Sequence, residues 1–383
     1  MVFYDIIFAK EGDILTNEEK KQFIIDAHRL YMNHRPYDAA TSIDDIKKNE
    51  DDFWSNYYSA FYDKIPKSLY KYRKIDCYSL KCLESDEAWF SHPKDFDDTM
   101  DSTLNNDIEE ELADLEKKPQ KIKKELSKSF INAFASQYGI SIDISMIDEV
   151  FPLFNEDGTI NDIHTRKYLS EKMPKYAIDE CVKRLKNNSS GVINEEIQEA
   201  VNGFLNTYLE MNDKIKNESL TFSLAEENNN QAMWGLYADE SKGFCIEYSF
   251  SPNDFLGQRM LLNLFPIYYG DKPLIKFFDV LIRGVYSFDN INGISYDDYQ
   301  EWFLSTYTKD KSYEFQKEWR ITFDKTMGNN LQKFPFIKSI ILGERISEND
   351  AKKLMEIAKK KNILIYQRKI NKSGSKIIIE KIV

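Results

Sequence analysis

The sequence predicts an α+β fold, and three observations carry that reading. Strand-like apolar runs gather in two stretches, 68–102 and 219–383, and do not alternate with helices along the whole chain. Residues 105–216 between them read as charged helix. Residues 17–62 ahead of them carry helical periodicity. Strands on both sides of an insertion imply a split small β-sheet core. The expected division is an N-terminal helical appendage over 1–66, an α+β core from 67–104 and 217–383, and a helical insertion over 105–216.

Taken in order, Asn17 to Tyr31 sets Phe23, Ile24, Ala27, Leu30 and Tyr31 close to a 3.6-residue period, and Arg35-Pro36 stops the helix. A second helix follows from Ser42, an N-cap with Asp45 three residues on, and Pro66 closes the region. SLYKYRKID reads as a strand, CYSLKCLES as a short helix and EAWFS as a second strand, with the acidic KDFDDTMDS as a turn after Pro93. In the insertion Pro119 breaks one helix and permits another, and NEDGTIND and KNNSSG mark turns. LTFSL then reads as a strand, AEENNNQ as a loop, AMWGLYADE as a short helix, and GFCIEYSF and FPIYYG as strands. Residues 273–308 are helical with Gly interruptions, and EWRITF and SIILGE are strands. A helix over 347–361 starts at Ser347 with Asp350 in its first turn. ILIYQRKI and SKIIIEKIV close the chain as a strand pair around Lys372-Ser373-Gly374.

Composition narrows the function classes. Hydrophobic residues at 42% and charged residues at 30% are those of a folded chain. Asp and Glu number 64 against 52 Lys and Arg, a net charge of −12, which argues against a general DNA-coating role but leaves a local basic patch open. Four Cys without a CxxC, and four His of which none sits close to a Cys, point to neither a disulfide framework nor a metal site. The start lacks a basic segment followed by an apolar run, and no stretch reaches membrane-spanning length, so a reduced, cytoplasmic protein without a membrane partner is expected. The 25 Phe and 23 Tyr fill cores, but such rings also line pockets that stack flat ligands.

Four clusters could carry chemistry. In MWGLYADESKGFCIEYSF, Asp239 to Lys242 form a turn, Gly243 opens a strand, and Trp234 and Tyr237 share a helix face, either as core or as the wall of a pocket. In SYEFQKEWRITF, strand alternation sets Gln316, Glu318 and Arg320 on one face and Lys317, Trp319 and Ile321 on the other. The polar face is either a solvated edge or a carboxylate at a site mouth, with Gln316 orienting the substrate. Alternation also sends Tyr70 and Tyr72 one way, and Lys71 and Arg73 the other. That basic face is either solvated or a guanidinium fork for phosphate. Thr221 and Ser223 place two hydroxyls on one strand face.

LYKYR, AWFS, KDFDDTMD, TFS, MWGLYADESKGFCIEYS, FPIYYGD, YEFQKEWRI and IILGERIS run in an order that resembles a bacterial family, domain of unknown function 2971, over residues 68–102 and 219–370. The W-x-x-Y-A-D…K-G-F-C run and the E-W-R-I strand are the most specific parts. Two features depart: the family's F-N-D-P reads Phe96-Asp97-Asp98-Thr99, and its Glu two before the second Glu is Gln316.

A looser resemblance is to mono-ADP-ribosyltransferases of the Arg-Ser-Glu type, in the order Arg73, Thr221-Phe222-Ser223, Gln316-Lys317-Glu318. It implies NAD as substrate and transfer of ADP-ribose to a macromolecule, protein or nucleic acid. A toxin or phage-defence effector, with a regulatory or antitoxin partner, would fit. Glu318 would hold the ribose 2′-hydroxyl and stabilise developing positive charge, with Gln316 beside it. Arg73 would pair with the phosphates, with Tyr72 also at the cofactor, and Ser223 would support the strand under the nicotinamide ribose. Tyr237 or Trp234 would stack nicotinamide, and Gln316 in place of Glu speaks against an arginine acceptor. No Gly-rich dinucleotide fingerprint is present, so a Rossmann-type site is not expected. Two rivals stand beside this reading. One is a non-catalytic nucleotide-sensing module using the same pocket. The other is a metal-dependent nuclease with Glu318, Asp97 and Asp98 as ligands, although Arg320 stands where a D…E-x-K pattern needs Lys.

Overall fold

A computed structural model describes residues 15–33, 43–107, 159–188, 192–276, 296–325, 328–371, 373–374 and 377–382, with isolated positions between 110 and 155. The Arg35-Pro36 stop, the Ser42 cap, the Pro119 break and residues 277–295 lie outside the described residues. The chain forms two compact units, one from 1–103, 214–272 and 303–383, the other from 104–213 and 273–302.

The first unit begins with α1 (Asn17–Asn33) and α2 (Ile43–Phe61), then β1 (Leu69–Arg73), α3 (Cys77–Ser85) and β2 (Glu87–Trp89). Asp76 opens α3 with a capping box, its carboxylate accepting from the Ser79 N–H while the Ser79 hydroxyl accepts from the Asp76 N–H. Three helices follow, α4 (Asp162–Lys172), α5 (Lys175–Asn188) and α6 (Val192–Glu218). The chain returns through β3 (Ser219–Ala225), α7 (Gln231–Tyr237), β4 (Phe244–Tyr248), α8 (Phe255–Leu262), β5 (Leu264–Pro266) and β6 (Tyr268–Tyr269). After α9 (Tyr296–Thr306) come β7 (Thr308–Lys309), β8 (Glu318–Asp324), β9 (Leu331–Lys333) and β10 (Ile337–Leu342). The last elements are α10 (Glu348–Lys361), β11 (Leu364–Ile370) and β12 (Ile377–Lys381), with the Ser347 hydroxyl capping α10 at the Asp350 N–H. In the second unit Asn161 caps α4, and Leu169, Ile178 and Val182 pack α4 on α5.

The expected α+β class holds. Eight strands form one sheet in the order β12-β11-β10-β4-β1-β3-β8-β5, antiparallel except where α10 crosses between β10 and β11. FPIYYG divides into two short strands, because β5 joins β8 whereas β6 pairs with β7.

The N-terminal helices are not an appendage to this core. One sheet face presents Phe222, Phe244, Trp319 and Ile321, and Phe23, Tyr57 and Phe61 complete the same cluster. Phe23 meets Phe61 at 5.0 Å and Trp319 at 5.5 Å, both edge-on. The buried pair Lys20–Glu226 at 2.6 Å ties α1 to the end of β3. A sheet with two apolar faces needs cover on both, and the periodic stripe of α1 supplies it on this one.

The other face carries Tyr70, Tyr72, Met233, Trp234, Cys245 and Ile341. β1 pairs with β4 at all five of its residues, Leu69↔Tyr248 to Arg73↔Phe244. Against β3 it pairs at one place, Tyr70↔Ala225. Further along, the same β3 edge is taken by Ser91, which exchanges backbone bonds of 2.9 and 2.8 Å with Thr221. Between these two points β1 and β3 part.

Candidate functional site

The parting opens onto a cavity of about 890 Å³, the size that holds a nucleotide-scale ligand. Tyr72, Arg73, Ser223, Tyr237, Gln316 and Glu318 all line it. Register shows how they meet. Ser223 lies opposite Arg320 and Ala225 opposite Glu318, so both charged residues of β8 share the face of Tyr70 and Tyr72. Leu69, Lys71 and Arg73 alternate to the Phe222 face. Arg73 and Glu318 therefore start from opposite faces of the sheet, and the gap between β1 and β3 is what gives them one cavity.

The Glu318 face is a closed ionic cluster. The Arg320 guanidinium donates from Nη1 and Nη2 to Asp101 at 2.7 and 2.6 Å, and from Nε and Nη2 to Glu318 at 2.6 and 3.1 Å. Lys309 Nζ lies 3.2 Å from Asp101 and 3.4 Å from Glu318 and donates to Gln316 Oε1 at 2.9 Å. Two cations thus meet two carboxylates, all at most 7% exposed. Burial opposes ionisation of Glu318, but the charges of Arg320 and Lys309 outweigh it and hold its pKa below the ordinary value. Burial likewise opposes ionisation of Asp101, and Arg320 and Lys309 again win. The face expected to be either solvated or a site mouth is thus a buried, charge-balanced floor.

Gln316 is not on the strand. It ends a 3-10 stretch, Lys311–Gln316, and Lys317 turns through the left-handed region at φ 42°, which breaks the expected alternation. It still reaches the cluster, donating from Nε2 to the Tyr237 hydroxyl at 2.8 Å. Burial raises the Tyr237 pKa, so its phenol stays neutral and is free to donate.

Trp234 corrects the expectation of a stacking wall. It is fully buried, and its indole N–H donates to the Asn228 carbonyl at 2.8 Å. Its ring meets Tyr72 edge-on at 5.3 Å and lies under the Arg368 guanidinium at 4.9 Å. Trp234 and Tyr237 share a short helix, but only Tyr237, 37% exposed, opens on the cavity. Tyr72 is among the lining residues, and its hydroxyl donates to the Glu227 carbonyl at 2.7 Å.

The turn after α7 shows why the motif reads as it does. Asp239, Glu240 and Ser241 are consecutive left-handed residues, at φ 49°, 53° and 67°. The Gly243 N–H then closes the turn on the Ala238 carbonyl at 2.8 Å. A β-carbon at 243 would lie 2.2 Å from the Arg73 carbonyl, so only glycine lets β1 come this close.

Lys71 is the residue that sequence reasoning placed but did not single out. Its Nζ donates to the Ser223 carbonyl at 2.6 Å, filling the gap where a strand partner would be. Burial, then the neighbouring Arg73 charge, pushes its pKa down to about 7. The Arg73 side chain makes no hydrogen bond or ion pair among the described residues. Asp101 and Lys309 were missed. Asp101 lay within an acidic stretch that read only as a turn, and Lys309 carried no sequence signal. Asp95, Phe96, Asp97 and Asp98 line the cavity as well, and the exposed side chains of Tyr78, Trp89 and Leu236 border it.

Among the described residues no helix is long and apolar enough to cross a membrane, and no group of three His, Cys, Asp or Glu side chains is placed to hold a metal ion. Searches of curated proteins and of solved structures return no match. Residues 233–321 match one family model, described as protein of unknown function (DUF2971). The matched segment runs from α7 to β8 and contains Tyr237, Gly243, Lys309, Gln316, Glu318 and Arg320. The segment similar to this family, DUF2971, thus brings Tyr237, Lys309, Gln316, Glu318 and Arg320 to the cavity wall.

Proposed function

We propose that the cavity binds NAD and that the protein transfers its ADP-ribose to a macromolecular acceptor. One observation carries the reading. β1, β3 and β8, which bear Arg73, Ser223 and Glu318, are consecutive neighbours in the sheet, and all three residues line one cavity, although most of the chain separates the first from the last. In the reaction the bond between nicotinamide and ribose breaks and its electron pair leaves with nicotinamide. The acceptor nucleophile bonds to the ribose carbon and gives up its proton. Glu318 stays ionised and keeps lone pairs beyond those given to Arg320 and Lys309, so it can accept the ribose hydroxyl and face the developing positive charge. The Tyr237 ring supplies a flat wall, and the exposed Tyr78, Trp89 and Leu236 give a macromolecule apolar footing beside the mouth.

A nucleotide sensor is the second reading, favoured by the same cluster, because Arg320 and Lys309 already balance the Glu318 charge. A nuclease site is less well served, since those cations occupy the carboxylate that would ligate metal.

Labelled NAD incubated with the protein and a cell lysate separates these readings. Label in the macromolecular fraction together with free nicotinamide supports transfer. Glu318→Gln should lower the rate by about 100-fold or more while NAD still binds. NAD binding without nicotinamide release leaves the sensor, and absence of binding ends both.

A further inference from the structure

The closed cluster on β8 leaves two cations of β1 unanswered. We propose that the parting between β1 and β3 is a phosphate subsite, in which Lys71 Nζ and the Arg73 guanidinium together hold the diphosphate of a nucleotide. The inference rests on the reading of the cavity as a nucleotide site, but on no reaction there.

Three observations support it. Lys71 and Arg73 stand two apart on one strand, so both side chains leave the same face, and both line the cavity. Lys71 Nζ has one hydrogen on the Ser223 carbonyl, while an ammonium has three to give. Among the described residues no carboxylate pairs with either side chain: Asp76, which follows β1 and lines the cavity with Asp95, accepts from the Ser79 N–H and pairs with Lys74 at 3.6 Å. Glu318 raises the Lys71 pKa but is held by Arg320, whose own charge lowers it. From the other walls, Glu87 on β2 pairs with Lys333 at 3.4 Å. The Cys82 thiol on α3 and the Tyr248 phenol on β4 are both pushed upward by burial and stay neutral. Asp97 and Asp98 also line the cavity, but their charges are felt at Tyr237 and Lys272.

Two neighbouring cations with one depressed ammonium form a site waiting for negative charge. A bound diphosphate supplies that charge and draws a proton onto Lys71. Its oxygens accept in parallel from the planar Arg73 fork and from the ammonium hydrogens.

The test is calorimetric titration of the intact protein at pH 8 with inorganic pyrophosphate, ADP-ribose and NAD, in two buffers of different ionisation enthalpy. Pyrophosphate and ADP-ribose should bind with uptake of up to about one proton per anion. Lys71→Met keeps an unbranched apolar side chain of similar length and removes the charge, which in the wild type lies 4.9 Å from the centre of the Phe222 ring. It should abolish proton uptake and weaken both ligands by about 10-fold or more, as should Arg73→Gln for affinity. Thermal melts of each variant confirm folding, and Lys71→Arg should restore affinity without proton uptake. NAD bound equally by wild type and both variants overturns the subsite and leaves the nucleotide reading standing. Pyrophosphate bound through Lys71 while NAD is not bound supports the subsite and removes NAD. Pyrophosphate bound with no proton uptake, or bound unchanged by Lys71→Met, overturns the proposal.

Discussion

Two groups of charge face one cavity and are built in opposite ways. Around β8, Arg320 and the Lys309 of β7 are matched carboxylate for cation by Asp101 and Glu318, with every partner buried. On β1, the Lys71 and Arg73 side chains stand side by side, and among the described residues the Ser223 carbonyl is the only hydrogen-bond acceptor of either. The first arrangement repays its desolvation internally and fixes geometry. The second leaves its electrostatics unbalanced until something anionic arrives. Stability and recognition are thus assigned to strands on either side of β3, and substitutions should separate them.

The largest effect should come from breaking the closed group. Arg320→Met leaves two buried carboxylates sharing the single Lys309 cation, and stability should fall by about 3–5 kcal/mol in denaturant titration. A loss below about 1 kcal/mol would mean that the cluster is solvated in solution. Arg73→Gln should do the reverse, leaving the melting temperature close to wild type while weakening anion binding. A Tm fall as large as that of Arg320→Met would erase the contrast.

The open pair can also be read through pH. The folded pKa of Lys71, about 7, lies below its ordinary value of 10.5. Between those values the unfolded chain holds a proton that the folded protein lacks, so this group makes stability rise as pH climbs from 7 towards 10. In Lys71→Met that part of the rise should vanish, which urea midpoints at pH 7 and 9.5 will show. His28 offers a control away from the cavity. Burial, against the stacked Phe303 ring at 4.8 Å, lowers its pKa from 6.5 to about 4. Stability from His28 is present above pH 6.5 and is lost as pH falls towards 4. His28→Phe should flatten that acid limb and leave the limb above pH 7 untouched. The smallest effect belongs to Tyr237→Phe, which removes the acceptor of the Gln316 amide and should cost about 1 kcal/mol or less.

Much of the strand content was legible because period-2 alternation and turn residues are local properties. The runs at 69–73, 219–225, 244–248 and 318–324 all form strands. Alternation also put Glu318 with Arg320, and Lys71 with Arg73, on common faces. Beyond single strands it could not go. That β1 and β3 pair at one residue depends on Ser91 holding the far end of β3, a contact between distant segments. Gln316 was misplaced because Lys317 takes a left-handed conformation that its residue type does not announce. Trp234 and Tyr237 looked alike at i, i+3, but only burial by Tyr72 and Arg368 tells them apart. The N-terminal helices read as separate because periodicity reports an apolar stripe without naming the surface that it covers.

Gly243 shows how a residue with no side chain can govern a charge it never touches. The backbone of β1 rests against its bare α-carbon at the Arg73 carbonyl. A methyl group there would have to push the end of β1 aside, and the guanidinium would travel with it. The turn after α7 therefore works as a gauge, setting how wide the mouth between two strands stands. Ligand affinity could be tuned from this position while every residue in contact with the ligand stayed the same.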